Sequence, residues 1–205
     1  MQWRWARAHD TIDITGEGGA LATRKRGWGW LPAVCGEVLQ AEGEAYAEFT
    51  WVSGDYLMVG VARAGVDPSS VGVGLHGTAD GWMYYCYDGE HWHNDWQPTP
   101  WASSDERGPR IAEGETVGLL LRRGSLSVHI GGRQVGVMCT GLSGSLVWAA
   151  DLLWQQMTPK SKQLGGQRYF SSASSVRIAR NAEEEERVRR RSAAQDRVRQ
   201  LRAQD

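Results

Sequence analysis

The sequence predicts an all-β chain, a two-layer antiparallel β-sandwich carrying a charged C-terminal α-helix, and three observations predict it. Short segments alternate apolar and polar residues with the period of two that a half-buried strand requires. Glycine outnumbers proline 26 to 6, as frequent tight reversals demand. No useful helical period occurs before residue 180, which points to a sandwich or barrel rather than an α/β sheet.

Taken in order, "EAYAEFTW" sets Ala45, Ala47, Phe49 and Trp51 on one face against Glu44, Tyr46, Glu48 and Thr50 on the other, the pattern of a strand with one buried face. "YLMVGVA" and "TVGLLLRR" are apolar on both faces, as in a central strand covered on both sides. In "DGWMYYCYDGEHWHNDW", Trp82, Tyr84 and Cys86 share one face and Met83, Tyr85 and Tyr87 the other; Asp88-Gly89 is the turn, and the returning strand begins with His91 and His93 outward and Trp92 inward. "SLSVHIGG" alternates Leu126, Val128 and Ile130 with Ser125, Ser127 and His129. Arg123-Gly124 and Gly131-Gly132 then make residues 116–138 a three-stranded meander. Residues 156–175 are polar and Gly/Ser-bearing, a long loop before a last strand, "SVRIA". Past residue 180 the pairs Glu183/Arg187, Glu185/Arg189 and Glu186/Arg190 support a helix at i,i+4 spacing, acid first. Its apolar positions, Val188, Val198 and Leu201, form no sustained seam, so it has little to bury. The chain therefore divides into a sandwich domain, 1–179, and a charged helix or tail, 180–205.

Composition narrows the function classes. A net charge of −1 gives no global field toward nucleic acid or an anionic membrane. The longest apolar stretch, around "SLVWAADLLW", is too short and too polar to span a bilayer. Three cysteines without a CxxC pair (Cys35, Cys86, Cys139) suit a reducing compartment. The expectation is an intracellular, soluble chain in the cytoplasm.

Candidate chemistry finds little support. His91-x-His93 near Asp88, Glu90 and Asp95 lacks the convergent ligand set that zinc needs, so no metal and no cofactor are expected. "GVGLHG", residues 72–77, matches a phosphate-loop pattern, but a turn and strand follow it instead of a helix. "GLSGS" is not a nucleophile elbow, and Asp88 and Glu90 are ordinary turn acids before they are a glycosidase pair. No catalytic residue is assigned. Tryptophans in loops suit contact surfaces: Trp28 and Trp30 in "RKRGWGWLP", Trp96 and Trp101 in "DWQPTPWASSDERGP". Arg24, Lys25 and Arg26 make one small basic patch, too little for nucleic acid.

The order of segments resembles the SPRY domain, the module of ryanodine receptors, tripartite-motif ubiquitin ligases and many adaptor proteins. "EGETVGLLLRRGSLSVHIGGRQVGVM" is similar to its run of Gly-acid, Val-Gly strand, short turn, strand, Asn-Gly turn and final strand, with Gly114-Glu115 and Ile130-Gly131-Gly132 at the corresponding places. "AYAEFTWVSGDYLMVGVARAG" and "GWMYYCYDGEHWHN" are similar to the strands before it, "DITGEGGALAT" and "GWGWLPAVCG" to its opening hairpin, and "SGSLVWAADLLW" with "SSVRI" to its closing pair. The resemblance covers about residues 10–179. It implies a concanavalin-like pair of bent sheets whose loops at one end, 24–32, 62–77 and 96–110, grip a peptide or another domain. On that basis the chain is a non-catalytic interaction module, an adaptor or accessory subunit of a larger complex, with Trp28, Trp30, Arg63, Asp67, Trp96 and Trp101 as protein-contact residues. The helix offers a second contact through Arg187, Arg190 and Arg191, or through Val188, Val198 and Leu201. The alternative is a carbohydrate-binding, lectin-like domain, since legume-type lectins share the architecture.

Overall fold

The computed structural model describes residues 2–103, 107–154 and 173–202, and among these described residues lie fourteen strands and one long helix. The strands are β1 (Trp5–Ala8), β2 (Ile12–Thr15), β3 (Leu21–Arg24), β4 (Gly29–Cys35), β5 (Leu39–Gln40), β6 (Glu44–Ser53), β7 (Leu57–Arg63), β8 (Gly81–Tyr85), β9 (Glu90–Trp92), β10 (Thr116–Arg122), β11 (Ser125–Ile130), β12 (Arg133–Cys139), β13 (Ser145–Trp154) and β14 (Ser175–Ala179). The helix α1 spans Ala182–Arg202. Sheet I runs β1-β4-β13-β7-β8-β9, with β5 also on β13; sheet II runs β12-β11-β10-β6-β14-β3-β2. Every ladder is antiparallel. The expected sandwich is what the sequence folds into. The expected 156–175 loop lies almost wholly outside the described residues.

The main core lies between the sheets. From sheet I it takes Val59, Val61, Tyr84, Trp148 and Leu152, and from sheet II Phe49, Val117, Leu119, Leu121, Leu126 and Val128. The alternation in "EAYAEFTW" and "SLSVHI" selects these residues, because side chains two apart on a strand share a face. The two hairpin turns of the meander form as the sequence predicts. Arg123 and Gly124 take φ of 50° and 72°, Gly131 and Gly132 of 54° and 69°, the left-handed geometry whose twist suits a two-residue hairpin.

Two expectations are corrected. The polar face of "SLSVHI" is buried: Ser127 and His129 are only 6% and 2% exposed. The Ser127 hydroxyl donates to the Leu120 carbonyl and lies 3.0 Å from His129 Nε2. The reason is the helix, which does have something to bury. Val188 is fully buried with Tyr46 and Leu120 on the outer face of sheet II. Ion pairs fix α1 there: Arg189 bridges Glu44 and Glu185, each at 2.6 Å, and Arg180 reaches Glu185 at 2.8 Å. Arg191 donates to the Gly132 carbonyl at 2.6 Å. Arg187 and Arg190 pair within the helix with Glu183 and Glu186, Leu201 is exposed, and the side chain of Val198 lies outside the described residues.

Candidate functional site

The outer face of sheet I carries a second apolar layer. Val34, Met58, Ala62, Met83, Val147 and Ala149 project there from β4, β7, β8 and β13, and the segment after β7 folds over them with Val66, Val71 and Leu75. That cover is partial. Beside it lies a run of aromatic rings, each within edge-to-face distance of the next. Tyr87 meets Tyr56 at 5.2 Å and Tyr85 at 6.0 Å; Tyr85 meets Trp30 at 5.6 Å; Trp30 meets His76 at 5.6 Å; and His76 meets Trp92 at 5.9 Å and Trp96 at 5.6 Å. Trp96 is 57% and Tyr87 38% exposed, and Trp28, at the same end of β4 as Trp30, is 65% exposed. The Arg110 guanidinium sits 4.3 Å above the Tyr87 ring.

Two buried charges hold this surface. Asp151, fully buried in the central strand β13, accepts hydrogen bonds from the Leu75 N–H (3.0 Å) and the His76 N–H (3.1 Å), and its Oδ2 lies 2.9 Å from His76 Nδ1. One carboxylate thus pins the short 3-10 turn Leu75–Gly77 onto the sheet and places the imidazole among Trp30, Trp92 and Trp96. Arg24, also fully buried, donates to the carbonyls of Arg26, Trp28, Gly29 and Leu152, closing the loop that presents Trp28. Burial lowers its pKa to about 10, with the Asp151 charge opposing, so the guanidinium stays charged at neutral pH. The expected basic patch is therefore dismantled: Arg24 is inside, and Lys25 pairs with Asp13.

Three of the six expected contact residues, Trp28, Trp30 and Trp96, border this face. Arg63 and Asp67 lie elsewhere. β7 runs from Leu57, beside the Trp30 end of β4, to Arg63 at the far end, roughly 20 Å away at strand rise. There the Arg63 guanidinium stacks over Trp82 at 4.9 Å and donates to the Ser143 carbonyl. The Asp67 carboxylate accepts from the Ser69 hydroxyl and N–H, bonds that lower its pKa. Trp101 is not at the surface. At 7% exposure it is part of the inter-sheet core, edge-on to Tyr84 at 6.0 Å and packed against Gly108 and Gly136. It closes the open side of the sandwich, where Ala102 and Ser103 hydrogen-bond to β12.

The His-Trp-His triplet is inverted relative to expectation. Trp92 packs on the outer layer of sheet I, and His91, across from Tyr84, points into the sandwich and is 3% exposed. The chain returns over β9 through a bridge between His91 and Thr99 and covers it. His93 stacks on Trp82 at 4.5 Å, with Nδ1 2.7 Å from the Gly81 carbonyl. Among the described residues no three His, Cys, Asp or Glu side chains converge as a metal site would require.

Sequence reasoning missed His76, Asp151, Tyr56, Tyr85 and Trp92 as parts of one surface. Asp151 did leave a signal. A carboxylate inside "SLVWAADLLW", a strand apolar on both faces, must find a buried partner or donors.

No family model matches the sequence, and no curated protein matches it. Solved structures do match. The SPRY domain of human HERC1 aligns with a TM-score of 0.63 at 16% identity, over 87% of this chain and 98% of that one. Another human SPRY domain gives 0.60 at 16% identity, over 84% and 97%. The TRIM65 PSpry domain gives 0.58 at 12% identity, over 88% and 90%. The fold is that of SPRY domains. Among the described residues no helix is long and apolar enough to cross a membrane.

Proposed function

We propose that the chain is a non-catalytic protein-interaction module, an adaptor or accessory subunit, which binds a protein or peptide through the aromatic outer face of sheet I. The observation that carries this reading is the run of packed rings from Tyr87 to Trp96, joined through the buried His76 and exposed at Tyr87 and Trp96, while two buried charges hold its loops in place. Exposed, pre-ordered aromatics offer large contact area at low entropic cost, and Trp and Tyr dominate interface hot spots. The SPRY fold supports the same reading, because that fold serves adaptors. Fold alone does not assign function, so the weight rests on the surface. Of the expected contacts, Trp28, Trp30 and Trp96 belong to this reading; Arg63 and Asp67 would serve a partner reaching the opposite end of β7. On α1, Arg187, Arg190 and Leu201 remain toward solvent for a second contact, while Val188 and Arg191 are engaged with the sandwich.

The test is affinity capture from native cells with wild type, Trp28→Ala and Trp96→Ala, read by mass spectrometry. Both side chains are exposed, so melting temperature should hold while the wild-type partner is lost. Equal recovery in both variants defeats the proposal. A sugar-stacking role for the same rings is separated by a glycan array, on which the protein should stay silent.

A further inference from the structure

The rings on the outer face of sheet I carry hydrogen-bond donors as well as apolar area. Trp28, Trp30 and Trp96 each bear an indole N–H, and Tyr56, Tyr85 and Tyr87 each a hydroxyl. Among the described residues no hydrogen bond engages any of these six groups. An indole N–H only donates, so apart from the phenol oxygens the six offer no acceptor. The charges at the margin lean the same way. Arg110 sets its guanidinium 4.3 Å above Tyr87, whereas the carboxylates of Asp88 and Asp95 are turned back onto the chain, accepting from the Glu90 and Trp96 N–H groups at 3.1 and 2.6 Å. The rings also stand steeply to one another: Trp30 makes 73° with His76 and 85° with Tyr85, and His76 makes 88° with Trp96, which ridges the surface. From Tyr87 to Trp96 they follow one another through Tyr85, Trp30 and His76 in steps of 5.6 to 6.0 Å.

This pattern selects among ligands. In an ordinary strand or coil every residue brings an N–H with its carbonyl, and an N–H set against donors loses its water without gaining a partner. A proline segment brings carbonyls and no N–H. Its left-handed polyproline II helix is preformed, so little entropy is lost on docking. The helix repeats every three residues, ~9 Å, and about seven residues of it would span the path from Tyr87 to Trp96. Carbonyl oxygens facing N–H, O–H and guanidinium groups are complementary in charge to this surface; a sugar, whose every hydroxyl donates as well as accepts, is less so. We propose that the aromatic face of sheet I takes a proline-rich segment of a protein partner in the polyproline II conformation, with its rings packed on Tyr87, Trp30 and Trp96 and its carbonyls accepting from the indole N–H and tyrosine O–H groups. This names the ligand class of the interaction surface proposed above and rests on that reading.

Acetyl-decaproline amide, titrated into the full chain and followed through the indole ¹H–¹⁵N resonances, tests it, with a Gly-Ser decapeptide and maltohexaose as controls. The Trp28, Trp30 and Trp96 resonances should shift saturably, those of Trp101 and Trp148, inside the core, should stay in place, and the controls should shift none. Trp96→Ala should weaken decaproline binding by more than about 10-fold, as loss of an aromatic hot spot does. Tyr87→Phe, which keeps the ring and removes one donor, should weaken it about 3- to 10-fold. Both side chains are exposed, so both variants should fold as wild type. No saturable shift with decaproline, equal shifts with either control, or undiminished affinity in both variants overturns the proposal. Native-partner capture lost in Trp28→Ala and Trp96→Ala while decaproline fails to bind retires the polyproline reading alone; decaproline binding with capture intact in both variants retires the capture reading alone.

Discussion

Asp151→Asn tests whether one buried carboxylate holds the aromatic surface together. The substitution keeps volume and shape but removes the charge and turns one acceptor into a donor. Asp151 faces three groups, the Leu75 N–H, the His76 N–H and His76 Nδ1. Asparagine can keep its oxygen toward the two His76 atoms only by aiming its NH₂ at the Leu75 N–H. One bond is then lost to a donor–donor encounter, and the remaining ones lose their charge assistance, which is worth about 1 kcal/mol or more apiece. Arg24 also loses the negative charge that opposes its desolvation. Breaking a buried charged arrangement of this kind costs about 3–5 kcal/mol. At roughly 2–4 °C per kcal/mol for a chain of this size, the melting temperature should fall by roughly 6–20 °C. Below that temperature the sandwich stays folded but the Leu75–Gly77 turn loosens, so Trp96 and Trp30 lose the His76 ring between them and partner capture drops. Thermal melting by circular dichroism, with capture at 10 °C below the variant's midpoint, reads both effects. A midpoint within 2 °C of wild type would refute the claim that Asp151 anchors this turn.

Trp101→Ala should behave unlike Trp28→Ala: emptying a core position beside Tyr84, Gly108 and Gly136 should cost about 3–5 kcal/mol, and an unchanged denaturation midpoint in urea would show that Trp101 is a surface residue after all. Acid should weaken the fold through His91 and His129, both of whose pKa values burial lowers to about 4. With unfolded values near 6.5, the unfolded chain binds more protons between pH 6.5 and 4, so stability is complete above that window and declines as pH falls through it, by roughly 2 kcal/mol per histidine at pH 5. Glu90, whose pKa is raised, acts with the opposite sign and offsets a part of this. Urea midpoints at pH 8 and pH 5 measure the difference, and coincident midpoints would contradict it.

The sandwich was legible because its strands obey local rules. The meander from β10 to β12 follows from alternation and two Gly-bearing turns, and its strands begin and end where the turn residues place them. What stayed hidden depends on neighbours that periodicity does not contain. His129 and Ser127 read as surface residues because a strand's own pattern cannot announce that a helix at 182–202 will lie across its outer face. His91 read as outward because the bridge from Thr99 that covers it is a contact between loop and strand. Trp28, Trp30 and Trp96 were found by residue type alone. The rings that Trp30 and Trp96 meet, Tyr56, His76 and Tyr85, come from separate strands and loops, and only the strand order of sheet I sets them side by side.

The two outer faces of the sandwich are treated differently, and that difference bears on function. Each sheet has apolar or aromatic residues on the side away from the core. On sheet II the helix α1 covers them, seating Val188 on Tyr46 and Leu120 and tied down through Arg189 and Arg191. On sheet I the cover is the segment from Val66 to Leu75, which packs with the apolar strand residues and against Trp30, Tyr85 and Trp92 but leaves Trp28, Tyr87 and Trp96 exposed. The exposed remainder is no failure of packing, since buried Arg24 and Asp151, both costly to desolvate, are committed to holding the loops that frame it. Expense that adds no core contact, directed at loops around half-open Trp and Tyr rings, is the pattern of a surface kept in shape for something outside the chain.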